Sequence, residues 1–198
     1  MNGPLPPHYL ITDRRLTGGA EALVGAVRSS LAALPEGGAL VQLREKDLSG
    51  RELVALGRSV FEVTTARRCP LLINDRVDVA LAIGADGVHL PEAGLPIADA
   101  RALLGPRAII GASTHTIDAA RAAATAGADL VVFGPIWPTP SKPGAPGVGL
   151  DALLAAVAAA RPTPLYALGG IDSPDRIAAA RAAGAHGTAG IRRYLAAP

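Results

Sequence analysis

A single cysteine, Cys69, stands in a chain of 198 residues. No internal disulfide can form, so the chain carries no covalent staple, and a reducing compartment suits it. Cys69 comes just before an apolar run, where a buried structural thiol is expected. Aromatic side chains are scarce, at 3%. No basic block is interleaved with them, so the sequence has no signature of nucleic-acid binding. Charge of one sign is also missing: the net is +2, with acids and bases interspersed. The pI near 9.0 comes from scattered arginines. No apolar run reaches the roughly 18 residues of a membrane span. Met1–Pro7 is short and proline-rich, without the apolar core of a signal peptide. The expectation is a cytoplasmic protein whose partners are neither nucleic acid nor membrane. No G-x-G-x-x-G opens a helix, which argues against a dinucleotide-binding open sheet.

What is present is hydrophobic: 49% of the residues, enough for a substantial core. Short apolar runs alternate with helical patterns along the chain. Strands are expected at 9–12, 39–43, 71–73, 87–90, 108–112, 130–133, 164–168 and 187–191. Helices are expected at 20–34, 52–66, 77–83, 97–104, 117–126, 150–160 and 174–183. The strand runs are continuously apolar, as in parallel strands covered on both faces. Ser49 with Glu52 forms a capping-box pattern, and Ser173 precedes Pro174 at a first helical position. Gly-Ala-Asp or Gly-Ala-His recurs at 84–86, 127–129 and 184–186, with each glycine where a helix ends in the left-handed conformation. Eight strands alternating with seven helices and a stub predict a single (β/α)8 TIM barrel over residues 1–198, small and with a truncated last helix.

Such barrels carry their sites at the C-terminal ends of the strands, and polar residues collect there. The second strand leads to Gln42, Arg44 and Lys46; the third to Asn74 and Asp75; the fourth to His89 and Glu92; the fifth to Ser113 and His115. The sixth opens a stretch from Phe133 to Leu150 with five prolines and four glycines, which excludes helix and central strand. Its polar side chains are Thr139, Ser141 and Lys142. Two hydroxyls and an ammonium on a stiff, turn-rich backbone suit an anionic oxygen, most simply phosphate. Gly169, Gly170 and Gly190, after the seventh and eighth strands, offer backbone N–H groups where such barrels often hold phosphate. Two separate anion-suited groups point to two phosphorylated moieties, or to a diphosphate and a monophosphate. Asp75 suits a metal bridged to phosphate or a salt bridge with Arg76 or Arg44. His89 faces a strand end or is a satisfied core histidine. His115 suits acid/base work or the start of the next helix.

Six ordered motifs resemble the thiamine phosphate synthase and thiazole tautomerase family: QLREK at 42–46, INDR at 73–76, GADGVHL at 84–90, GASTHT at 111–116, GPIWPTPSK at 134–142 and ALGGI at 167–171. That resemblance implies a (β/α)8 barrel and the coupling of hydroxymethylpyrimidine diphosphate to a thiazole phosphate, with release of pyrophosphate. It implies Mg2+ as the cofactor, held by Asp75. It places Gln42, Arg44 and Lys46 on the pyrimidine and diphosphate, with Asn74, Ser113 and Lys142 on the diphosphate. Thr139, Ser141 and Gly170 fall to the thiazole phosphate. Small phosphorylated molecules are the implied partners, and a homodimer is left open.

Two departures from the synthase pattern stand out. HLPEAG at 89–94 replaces a stretch that resembles HLGQxD, so Gly94 occupies the place of a second magnesium carboxylate, with Glu92 two residues upstream. Arg192 stands where the synthase has a serine for the thiazole phosphate. The tautomerase branch implies proton transfer by the histidine matching His115, which aromatises a carboxythiazole phosphate. Retention of Lys46 and Asp75 favours coupling. A barrel that binds phosphorylated ligands without turnover is the reading from another class.

Overall fold

Each apolar run pairs with the next in parallel until the eighth meets the first. The computed structural model describes residues 4–141, 144 and 146–195. The elements are β1 His8–Ile11, α1 Ala20–Ala32, β2 Ala39–Leu43, α2 Gly50–Ala66, β3 Leu71–Asn74, α3 Val77–Ile83, β4 Gly87–Leu90 and α4 Ile97–Leu104. They continue as β5 Ile109–Thr114, α5 Ile117–Thr125, β6 Leu130–Phe133, α6 Gly149–Ala160, β7 Leu165–Leu168, α7 Pro174–Ala182, β8 Gly187–Gly190 and the four-residue α8 Arg192–Leu195. A 3-10 turn, Arg14–Leu16, follows β1. The strand order is β1 through β8 in a closed barrel, and β1 pairs with both β2 and β8. Among the described residues no helix is long and apolar enough to cross a membrane.

Strand alternation divides the core into two shells. Tyr9, Ile11, Leu40, Leu72, Ile109, Leu130, Val132, Tyr166 and Ala189 form one buried cluster, inside the barrel. The intervening residues, such as Leu10, Val41, Leu71, Ile73 and Val88, pack outward against the helices. Helix α2 shows how the outer shell is built. Ser49 and Glu52 close the capping box, and Leu53, Leu56, Val60 and Val63 form the buried stripe. Each such leucine contributes about 1.5–3 kcal/mol on burial. Cys69 is buried as expected.

The Gly-Ala-Asp/His repeat pins the N-terminal rim. Gly84, Gly127 and Gly184 have φ of 70°, 89° and 90°, the left-handed helix ending that favours glycine. The third residue then reaches back to a neighbouring segment. Asp86 accepts from the Leu71 N–H at 2.8 Å and Asp129 from the Ile110 N–H at 2.7 Å, while His186 Nε2 donates to the Leu5 carbonyl at 2.7 Å.

One boundary differs in a way that matters for the site. β5 runs on to Thr114 instead of ending at Ala112, because Ser113 and Thr114 stay in register with Val132 and Phe133 of β6. Thr114 Oγ1 also donates to the Val132 carbonyl at 3.2 Å. Ser113 is therefore a strand residue with an imposed direction, not a loop hydroxyl.

Candidate active site

The inward positions change character near the C-terminal mouth. Two residues above Leu40 is Gln42, above Leu72 is Asn74, above Gly87 is His89, and four above Ile109 is Ser113. Strand alternation aims all four into the barrel. Gln42 and His89 are each only 2% exposed, while Asn74 and Ser113 are half-buried. Register places His89 beside both Asn74 and Gly111. Gln42 Nε2 lies 3.5 Å from Asn74 Oδ1. His89 is a satisfied core histidine: Nδ1 meets Tyr9 Oη and Nε2 meets Ser113 Oγ, both at 2.9 Å. Burial, with the Arg44 charge nearby, pushes its pKa down from 6.5 to about 3.

Arg44 and Lys46 follow β2 on the rim, Arg44 half-buried and Lys46 exposed. Neither has a carboxylate partner among the described residues, whereas Arg14, Arg15 and Arg76 are all paired. The residue between them explains the arrangement. Glu45 is 5% exposed and accepts from Thr12 Oγ1 at 2.6 Å, the Arg14 N–H at 3.1 Å and Arg14 Nη1 at 3.2 Å. Thr12 Oγ1 in turn accepts from the Arg44 N–H at 2.9 Å. Asp47 takes Arg14 Nη1 and Nη2 at 2.6 and 2.8 Å, which holds its carboxyl well below the usual carboxylate range. The acids thus tie the β2 loop to the β1 loop and leave the cations on either side of Glu45 unneutralised.

Asp75 is exposed at the end of β3, in the left-handed region with φ of 64°, rare for a non-glycine residue. Its N–H donates to the His89 carbonyl at 2.9 Å. The salt-bridge alternative does not form: Arg76 turns to Asp78, at 2.8 and 2.6 Å. Among the described residues the Asp75 carboxylate has no hydrogen-bond or ion-pair partner, and no cluster of three metal-ligating side chains forms. A lone, exposed carboxylate fits Mg2+, which would add positive charge beside a ligand phosphate, since that ion keeps several waters and takes one or two carboxylates. Glu92 is engaged elsewhere, with Oε2 at 2.6 Å from His115 Nδ1. His115 is exposed directly after β5, and Thr116, not His115, caps α5 by accepting from the Ala119 N–H at 3.1 Å.

The second group lies over β6–β8. Thr139 Oγ1 accepts from the Ser141 N–H at 3.4 Å, and Arg192 Nη1 reaches Ser141 Oγ at 3.3 Å from the far end of the chain. Lys142 lies outside the described residues. Gly169 and Gly170 have φ of 101° and 65°. A Cβ on Gly169 would sit 2.5 Å from Pro135 Cβ, and one on Gly170 would sit 2.7 Å from Trp137 Cβ. These glycines let the proline-rich loop lie directly on the end of β7. Their N–H groups donate to nothing among the described residues. Arg176 steadies the same corner, donating to the Gly170 carbonyl at 2.6 Å and standing 5.3 Å over the Trp137 ring. Gly190 closes β8, two residues before Arg192.

Tyr9, Thr12, Glu45 and Arg176 escaped the sequence reading. Tyr9 had one signal, its inward parity two residues below Ile11; the others depend on loop-to-loop contacts that spacing does not encode.

Fold and mouth together define a class: a (β/α)8 barrel with its polar side chains gathered at the C-terminal face, as in barrel enzymes. The profile of the thiamine monophosphate synthase family matches residues 8–193, and the chain belongs to that family. A relative from Geobacter sulfurreducens is 50% identical over 192 residues, spanning 96% of this chain and 87% of that one. The thiamine-phosphate synthase of Moorella thermoacetica is 43% identical over 96% of this chain and 88% of its own length. Among solved structures, thiamine phosphate pyrophosphorylase from Pyrococcus furiosus matches with a TM-score of 0.83 and 34% identity, covering 98% of this chain and 88% of that one.

Proposed function

We propose that the protein, acting as one domain, joins hydroxymethylpyrimidine diphosphate to a thiazole phosphate, giving thiamine phosphate and pyrophosphate. The observation that carries this reading is the pair of unneutralised cations, Arg44 and Lys46, beside Asn74 and Asp75, with a second anion-suited group at Thr139, Ser141, Gly170 and Arg192 on the same mouth. One arc suits a diphosphate and the other a monophosphate.

The chemistry follows from the arrangement. The bond between the pyrimidine methylene carbon and the diphosphate oxygen breaks, and its electron pair leaves with the diphosphate. Arg44, Lys46 and the Ser113 hydroxyl meet the charge that develops on that oxygen group, in a site partly screened from water. Gln42 orients the pyrimidine end from inside the barrel, and Asn74 beside it meets the diphosphate. Thr139, Ser141, Arg192 and the N–H groups of Gly169 and Gly170 hold the thiazole phosphate so that the ring nitrogen attacks the methylene carbon. Asp75 would hold Mg2+, which supplies further positive charge to the diphosphate oxygens when bound.

The His115–Glu92 pair favours a second reading. A histidine held by a carboxylate at the mouth suits a proton shift on a carboxythiazole phosphate. A side-by-side assay of both reactions with purified protein separates the two. Pyrophosphate release that needs both substrates supports coupling; tautomerisation without pyrophosphate supports the second reading.

A further inference from the structure

Tyr9 Oη is completely buried beneath the mouth, and its one hydrogen-bond partner among the described residues is His89 Nδ1 at 2.9 Å. A buried hydroxyl proton needs an acceptor, so the Tyr9 O–H donates to Nδ1. A neutral imidazole that accepts at Nδ1 carries its proton on Nε2. That proton points at Ser113 Oγ, also 2.9 Å away. Ser113 Oγ is then occupied as an acceptor, and its own O–H has no acceptor among the described residues. Ser113 is the one half-buried member of the three, so its proton is the end that meets a ligand.

The packing holds the rings that carry the chain in place. A Cβ on Gly111 would lie 2.5 Å from His89 Nδ1, so the imidazole occupies the space that this glycine leaves. The Tyr9 ring is wedged between His89 and Tyr166, with centroids 5.6 Å from each. Tyr166 is itself anchored by donating to the Pro6 carbonyl at 2.6 Å. The reverse direction would strand the Tyr9 proton in the core and turn the Ser113 proton inward, away from any ligand.

We infer that Tyr9 and His89 are positioning residues, a hydrogen-bonded chain that fixes Ser113 as a donor toward an anionic oxygen at the mouth. The identity of that oxygen as diphosphate rests on the coupling reading above; the direction of the chain does not. Tyr9→Phe removes one oxygen and keeps the ring packing.

Two measurements test the inference. Nitrogen-15 NMR of the wild type at pH 7 reads the tautomer directly, and Nε2–H with a bare Nδ1 is expected, a preference that weakens in Tyr9→Phe, where nothing donates to Nδ1. Calorimetry with inorganic pyrophosphate and Mg2+ then compares wild type, Tyr9→Phe, Ser113→Ala and the double variant. Ser113→Ala should weaken binding about 10-fold or more, the loss of one hydrogen bond to a charged group, and Tyr9→Phe should weaken it by a smaller factor. The double variant should bind no worse than Ser113→Ala, because Tyr9 acts through Ser113. An Nδ1–H tautomer in the wild type overturns the inference, as does a Tyr9→Phe effect that persists undiminished in the Ser113→Ala background. Failure of the wild type to bind pyrophosphate overturns the diphosphate reading instead, and the tautomer alone then decides the direction of the chain.

Discussion

Glu92 Oε2 lies 2.6 Å from His115 Nδ1, which joins the loop after β4 to the residue that follows β5. The carboxylate nearest the place of the missing metal ligand is therefore already committed. Gly94, which stands at that place, is itself crowded, since a Cβ there would lie 2.8 Å from Pro91 Cδ. In a Mg2+ titration of pyrophosphate release, Glu92→Gln should leave the half-saturating concentration unchanged. Gly94→Asp should help only when Pro91→Gly relieves the contact, and the double variant should need less Mg2+ than the wild type. A raised requirement in Glu92→Gln would make Glu92 the second carboxylate.

His115 divides the two candidate reactions. A positioned acid/base histidine contributes about 10²–10⁴-fold. His115→Asn should cost that much in carboxythiazole tautomerisation, if the protein performs it, and much less in coupling. Equal and large losses in both would identify the pair with Glu92 as a structural tie between loops.

Arg44→Ala and Lys46→Ala should each slow coupling by an amount equivalent to about 2–4 kcal/mol, typical of one electrostatic donor in a preorganised site. Their melting temperatures should stay near that of the wild type, because neither side chain has an ion-pair partner among the described residues to lose. Near-native turnover in both variants would reduce them to solvated rim charges.

Burial of His89 makes stability depend on pH. Unfolded, the imidazole gains a proton below pH 6.5; folded, it stays neutral down to about 3. The unfolded chain binds more protons across that window, so this contribution is complete above pH 6.5 and declines as pH falls toward 3, by up to about 1.4 kcal/mol per pH unit. His89→Asn should flatten the fall in melting temperature between pH 6.5 and 4 relative to the wild type. Parallel curves would mean that His89 titrates normally in the folded protein.

The barrel was legible because each apolar run and each helical pattern agreed with its neighbours, down to the capping box at Ser49 and the left-handed glycines of the repeat. The rim was legible as a set of polar residues at strand ends. Direction was not. The apolar run before Ser113 stopped at Ala112, since hydroxyls read as loop, and only pairing with β6 showed that β5 carries Ser113 inward. Asp75 and Arg76 looked like partners by adjacency, yet the left-handed backbone at Asp75 separates them and Arg76 takes Asp78. Glu45, the middle of QLREK, carries no signal of its own between two cations, although its burial under Thr12 and Arg14 is what sets their direction.

Phosphorus-31 NMR of the purified protein with hydroxymethylpyrimidine diphosphate, thiazole phosphate and Mg2+ tests coupling most directly. The account predicts that thiamine phosphate and pyrophosphate appear together in equal amounts, and that neither forms when one substrate is left out. Unchanged diphosphate and thiazole phosphate signals at every Mg2+ concentration, from a protein that binds both, would contradict it.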